Sequence, residues 1–237
     1  MSKLFAIADL HLSFSQEKPM GIFGDNWENH QEKLESNWKS AVSDEDIVFI
    51  PGDISWALKY EDALHDLEWI HNLTGTKVFL RGNHDLWWNS VSKLRELWPA
   101  DMKFIQNDCL EFQGTEYSMV LCGTRGWVTP QDKYYIAKND EKIFNREVIR
   151  LRMSLEKAIE TGTKNIVLGL HYPPTGGGKK SEFTKLIEEY GIKTIIYGHL
   201  HGLEAYKKGI KGQIGNAEYH LVSADYLDFS PKLIAEF

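Results

Sequence analysis

Arg81-Gly82-Asn83-His84-Asp85 follows a short apolar run, residues 77–80, and leads into Trp87 and Trp88. The run reads as a strand and the pentapeptide as the loop at its carboxyl end. An amide, an imidazole and a carboxylate are thereby presented side by side, on backbone that Gly82 allows to bend sharply. One such cluster carries little weight alone. Working outward, four other apolar runs end in the same way: Asp9 with His11 after residues 4–8, Gly52-Asp53 after 47–50, His171 after 165–170, and Gly198-His199-Leu200-His201 after 193–197.

The segments between these runs decide the class of fold. Residues 31–42, 60–72 and 90–98 carry helical spacing, as Ala63, Leu64, Leu67 and Ile70 illustrate. Strand and helix thus alternate through the first half. Residues 103–105, 109–112 and 117–122 then read as consecutive short strands. Residues 139–160 give the longest helical pattern, 180–190 another helix, and 219–224 and 232–237 late strands. Such a series predicts an α/β (α+β) protein with a mixed sheet system and helices outside, folded as one domain over 1–237. Residues 13–29, with Pro19, Gly21, Phe23, Gly24 and Trp27, form a long connection, read either as a functional lid or as an insertion packed by its aromatics.

Composition narrows the function classes. The 237 residues suffice for a sizeable core, and 42% hydrophobic with 26% charged residues is ordinary globular usage. A net charge of −7 argues against a broad nucleic-acid-binding face. Cys109 and Cys122 are too few for a disulfide framework and read as reduced core thiols. The first apolar run is too short for a signal peptide, and no stretch approaches a membrane span, so a cytoplasmic location is expected.

The five strand ends supply two carboxylates, one amide oxygen and several imidazoles. Residues i and i+2 of an extended chain share a face, so Asp9/His11 and His199/His201 can each aim two side chains at one locus. Nitrogen and oxygen donors together suit Mn, Fe, Zn or Co better than Ca or Mg. The set exceeds what one ion can use, so two divalent transition metal ions are expected, with Asp53 as the bridging carboxylate. Two such ions retain positive charge after Asp9, Asp53 and a bridging hydroxide are counted, which favours an anionic substrate and attack at phosphorus. His84 is the free imidazole placed to serve the leaving oxygen, with Asp85 able to hold its other nitrogen. His30, His65, His71 and His220 read as ordinary core or surface groups.

Taken in order, Asp9-x-His11, Gly52-Asp53, Gly82-Asn83-His84-Asp85, His171 and Gly198-His199-x-His201 resemble the signature blocks of the calcineurin-like metallophosphoesterases. The resemblance implies a four-layer fold, a two-sheet β-sandwich flanked by helices. It implies that Asp9, His11, Asp53 and His201 hold one metal, that Asp53, Asn83, His171 and His199 hold the other, and that His84 is catalytic with Asp85 in support. The loop from Lys18-Pro19-Met20 to Trp27 and the tail Asp225-Tyr226-Leu227-Asp228-Phe229 look like a bacterial group of predicted phosphohydrolases. Ile54-Ser55-Trp56 after Asp53 departs from the Asp-Arg-Gly pattern of protein Ser/Thr phosphatases. His84 stands where the lipid A-precursor pyrophosphatases of this fold typically have Arg, which disfavours a membrane lipid.

The expected activity is therefore hydrolysis of small phosphate mono- or diesters, nucleotide-like ones included. Trp56, Trp87, Trp88 and Trp127 follow predicted strand ends and are read either as pocket walls on which a base stacks or as core and rim residues. Arg125 is a candidate phosphate contact. The Gly176-Gly177-Gly178-Lys179-Lys180 loop is read either as another or, by preference, as a flexible surface loop, and Pro173 and Lys180 rule out a Walker A motif. Two alternatives stand beside this reading: a metal-dependent nuclease, for which the chain lacks a basic stripe, and a non-catalytic metal-binding interaction module.

Overall fold

The computed structural model describes residues 2–16, 18 and 20–237. β1 (Lys3–Ala6), β2 (Ile47–Pro51), β3 (Thr76–Leu80) and β4 (Met102–Ile105) run parallel in one sheet. The crossovers between them are α1 (His30–Ala41), α2 (Tyr60–His71) and α3 (Val91–Leu97). The second sheet has the order β5 (Cys109–Gln113), β6 (Ser118–Thr124), β7 (Asn165–Leu170), β8 (Thr194–Tyr197), β10 (Ala217–Leu221) and β9 (Gly212–Ile214). Its four central strands are parallel and its two edge strands antiparallel. α4 (Ala137–Glu160) and α5 (Glu182–Glu189) cross between β6, β7 and β8, and a short α6 (Leu203–Tyr206) follows β8. β11 (Lys232–Glu236) returns to pair antiparallel with β1.

The continuous apolar runs have a direct cause. Along β1 and the two residues after it, Leu4, Ala6 and Ala8 point between the sheets, while Phe5 and Ile7 point toward α1 and α2. Ile47 and Phe49 alternate with Val48 and Ile50 in the same way on β2. Both faces are covered, so alternation is of layer rather than of polarity. On β6, Met119 and Leu121 face the other sheet while Val120 and Cys122 meet α4. The result is the expected order helix, sheet, sheet, helix.

Outer-layer packing is anchored by large side chains with satisfied polar tips. Trp38 is fully buried and its Nε1 donates to the Thr74 carbonyl at 3.0 Å; truncation there would cost about 3–5 kcal/mol. α5 starts at a reciprocal cap, in which the Ser181 hydroxyl accepts from the Phe183 and Thr184 amides and Thr184 Oγ1 accepts from the Ser181 amide.

Differences from the sequence reading concentrate where burial gives no periodic signal. Residues 20–27 contain two 3-10 turns, Met20–Phe23 and Asp25–Trp27, within the long connection, whose Pro19 lies outside the described residues. β9 is exposed along its whole length and adds a strand that the sequence pattern does not predict. Among the described residues no helix is long and apolar enough to cross a membrane.

The topology fixes where chemistry can occur. β1, β2 and β3 end on one edge of their sheet, and β7 and β8 end on one edge of theirs. The two edges meet where the Ala8 amide donates to the Val222 carbonyl at 2.7 Å and Ala8 bridges to Ser223.

Candidate metal centre

All seven expected donor residues reach this junction. They arrive by turns rather than by the extended i, i+2 geometry expected: Asp9, His11, Asp53 and His199 have φ of 60°, 46°, 52° and 71°. Left-handed backbone at a non-glycine residue costs on the order of 1–3 kcal/mol. Here four of the strained positions carry the candidate ligands themselves, and strand and sheet hydrogen bonds on either side hold them there. The Asp9 amide donates to Gly52 O at 2.9 Å and the His11 amide to Asp53 O at 3.0 Å, tying the two loops together.

Two donor groups result. Asp9, His11 and His201 form one, and Asp53, His171 and His199 form the other; within each, the ligand atoms all lie within 4.8 Å of one another. Asn83 joins the second group, its Oδ1 being 2.7 Å from His171 Nε2. Asp53 Oδ2 stands 3.8 Å from His11 Nε2 and 3.4 Å from His171 Nε2, between the two groups. Asp53 Oδ1 accepts the His84 backbone N–H at 2.8 Å, which leaves Oδ2 facing the centre.

The imidazoles are oriented from behind. His171 Nδ1–H donates to the Pro51 carbonyl at 3.1 Å, and His201 Nδ1–H donates to Asp225 Oδ1 at 3.0 Å. Their Nε2 atoms therefore face inward, His201 Nε2 lying 3.2 Å from His11 Nε2. The sequence presents Asp225 only as part of the tail; its contact spans 24 residues and carries no local signal.

Two glycines are required by close approach. A Cβ on Gly82 would collide with Asp53 Oδ1 and the Asp53 amide, and one on Gly198 would meet the Asp9 carboxylate. Gly82 does not adopt positive φ. Its contribution is the space it leaves, not the sharp bend expected of it.

Electrostatics fit a cation. Asp9 and Asp53 are buried, and Asp9 Oδ1 has no hydrogen-bond partner among the described residues. Burial pushes the Asp9 carboxyl up to about 6 against the pull of His201 and His171. Burial also opposes charge on Asp53, but His171, His11 and His84 together hold its carboxyl well below the usual range. Burial works against a charged His171 too, and the Asp53 carboxylate overcomes it, raising the imidazole to about 9. His199 is depressed to about 3 by burial and by His171. An orphaned buried carboxylate oxygen beside inward-facing imidazole nitrogens is a donor set matched to divalent transition metals.

The structure narrows three sequence readings. The Asp85 carboxylate makes no hydrogen bond to the His84 ring. It accepts instead from the backbone N–H groups of Asp53, Ile54, Ser55 and Gly82 and from Trp87 Nε1. Trp87 and Trp88 are 2% and 5% exposed and belong to the helix-side core, so they wall no pocket. Arg125 lies outside the site cavity, its guanidinium 4.6 Å above the Trp127 ring.

His84 itself faces the site cavity of about 650 Å³, its ring 4.2 Å from Trp56 and 5.7 Å from His11. Burial pulls its pKa down against the nearby Asp53 charge. Trp56, Trp127 and Tyr172 supply the aromatic wall, with Phe23 from the long connection at the rim. Of the glycine-rich loop, Gly177 borders this cavity while Lys180 pairs with Glu188.

Comparison with known proteins is decisive for the family. The family described as calcineurin-like phosphoesterase matches residues 2–203. The chain belongs to that family. Proteins of that family are described as phosphoesterases. The calcineurin-like chain is 34% identical over 85 residues to the Gene 66 protein of Mycobacterium phage L5, covering 36% of this chain and 41% of that protein. It is 33% identical over 90 residues to the uncharacterized protein MJ1445 of Methanocaldococcus jannaschii, covering 36% and 48%. The chain thus spans less than half the length of these curated relatives. Among solved structures, the fold is similar to the phosphopantetheinyl hydrolase PptH of Mycobacterium tuberculosis, with TM-score 0.62 and 16% identity over 100% of this chain and 96% of that one. It is also similar to TT1561 of Thermus thermophilus, with TM-score 0.59 and 12% identity over 93% and 89%. At such identities the likeness is one of fold.

Proposed function

We propose that this chain, acting as one domain over 1–237, is a dinuclear-metal phosphohydrolase of small phosphate mono- or diesters. The observation that carries the proposal is the position of Asp53 between two complete donor groups. Asp9, His11, Asp53 and His201 would hold one ion, and Asp53, Asn83, His171 and His199 the other. Two divalent ions there would supply positive charge for the phosphoryl oxygens and lower the pKa of a water for attack.

The remaining work falls to side chains of this chain. His84 is fixed by the hydrogen bond its backbone N–H donates to Asp53 Oδ1 and by the Trp56 ring, and it presents an imidazole N–H toward the leaving oxygen. Asp225 and the Pro51 carbonyl fix the tautomers of His201 and His171. Asp85 staples residues 53–55 to residue 82 and so holds Asp53 and Asn83 in register. Trp56, Trp127 and Tyr172 give the cavity an apolar flank for the organic part of the ester. That a protein of this fold is named a phosphopantetheinyl hydrolase agrees with the hydrolase reading; its substrate stays with that protein.

The test is a screen of Mn²⁺-, Zn²⁺- and Fe²⁺-reconstituted protein against an aryl phosphate monoester, the matching diester, nucleotides and cyclic nucleotides. Turnover of either ester that stops with a chelator supports the proposal. Silence toward all of them with both metals bound favours the interaction module. Activity confined to single-stranded DNA favours the nuclease.

A further inference from the structure

Trp127 also borders a second cavity, of about 380 Å³, set among the ends of β3, β4 and β6 and the flank of α4. Six arginines occur in the chain, and four of them, Arg81, Arg125, Arg146 and Arg150, line this cavity. Among the described residues Glu147 is the one carboxylate of the lining. Four permanent positive charges thus face one negative charge, in a chain whose net charge is −7.

Internal pairing with Glu147 leaves the cluster with surplus positive charge. Glu147 is fully buried; its Oε2 accepts from Thr124 Oγ1 at 2.6 Å and its Oε1 from Arg150 Nη1 at 2.8 Å. Arg125 Nη2 and Arg146 Nε form longer ion pairs with that same Oε1, at 3.8 and 3.9 Å and beyond hydrogen-bond reach, so one carboxylate is shared by three guanidinium groups. Arg125 Nε is buried without a hydrogen-bond partner among the described residues. Arg81 satisfies its Nε on the Asp85 carbonyl at 3.1 Å. Each guanidinium has five N–H donors, so most of the donors around the cavity are uncommitted. A purely structural ion-pair network would place comparable numbers of carboxylates here. The arginine fork is instead matched to the paired oxygens of phosphate groups.

We infer that this arginine-lined cavity is a second anion site, distinct from the metal centre, which takes a phosphate-bearing ligand. The occupant is a phosphate oxyanion, free or esterified. The site does not rest on the hydrolase reading, because its binding chemistry needs no metal. It is nonetheless adjacent to the centre: the Arg125 carbonyl accepts the backbone N–H groups of His171 and Tyr172 at 3.0 and 2.9 Å.

The test is calorimetric titration of the chelator-treated chain, residues 1–237, with inorganic phosphate, pyrophosphate and AMP. Arg146 is half exposed and, among the described residues, its guanidinium makes only the 3.9 Å ion pair with Glu147, so Arg146→Ala and Arg146→Glu are the variants, each checked for wild-type melting temperature. Expected is saturable binding of one pyrophosphate per chain, weakened about tenfold by Arg146→Ala and further by Arg146→Glu. Equal affinity for phosphate and AMP supports the site with a free oxyanion as occupant; tighter AMP binding supports it with a phosphate ester. No saturable binding to the wild type, or binding unchanged in Arg146→Glu, overturns the inference.

Discussion

The carboxylate of Asp85 accepts a hydrogen bond at 3.0 Å from the backbone N–H of Asp53, a residue 32 positions away. Asp85 is next to the candidate catalytic imidazole in sequence, yet it serves the loop carrying the candidate bridging carboxylate. Asp85→Ala would leave several buried N–H groups unsatisfied and is expected to lower stability by about 3 kcal/mol or more. Thermal denaturation checks this. A melting temperature equal to the wild type would mean that the carboxylate holds nothing together.

His84→Ala should behave in the opposite manner. The His84 backbone N–H to Asp53 survives the substitution, so metal content and melting temperature should be retained. The rate on a poor leaving group should fall roughly 10²–10⁴-fold, as loss of a general acid does. Wild-type turnover by this variant would remove His84 from the chemistry.

Trp56 and Trp87 separate substrate contact from packing. Trp56→Ala is expected to impair turnover with little change in stability, because its ring borders the site cavity. Trp87→Ala should cost about 3–5 kcal/mol of stability, since the indole is buried and donates to Asp85. Paired denaturation and kinetic measurements distinguish them, and interchange of the two phenotypes would refute the assignment.

The difference between these tryptophans shows what the sequence could and could not convey. The donors themselves were legible because each closes an apolar run and the runs are parallel strands. Layer order was legible too, since strands such as β1 are apolar on both faces. Which tryptophan turns inward depends on loop geometry after the strand, and Trp87 and Trp56 each simply follow a strand-end motif. The Asp225 contact to His201 and the gathering of four arginines around Glu147 are tertiary, assembled from elements far apart in the chain. Likewise the route by which Asp9 and His11 converge, through left-handed turns, has no composition signal because neither is glycine.

Asp225→Ala should weaken metal binding about 10–100-fold, as loss of the carboxylate behind a metal-facing histidine does. Competition with a chromogenic chelator reads the affinity. Unchanged affinity would show that His201 needs no orientation from behind.

Metal-free protein should lose stability as pH rises from 7 to 9.5. The sign follows from His171, whose folded pKa is raised from 6.5 to about 9, so its contribution is complete below 6.5 and disappears as pH passes 9. The effect is on the order of 2–3 kcal/mol. Asp9, raised to about 6, has finished titrating before this window opens. Bound metal should reverse the trend, because it requires deprotonated ligands. Denaturant melts across the window, with and without Mn²⁺, would show parallel curves if His171 were not at the centre.

The central claim, that Asp53 bridges two ions, is tested most directly by metal stoichiometry. Wild-type chain and Asp53→Asn, each reconstituted with Mn²⁺ and freed of excess, would be compared by elemental analysis alongside aryl phosphate turnover. The account predicts two ions per chain for the wild type, and fewer for Asp53→Asn together with loss of nearly all activity. Two tightly held ions and full turnover in Asp53→Asn would contradict it.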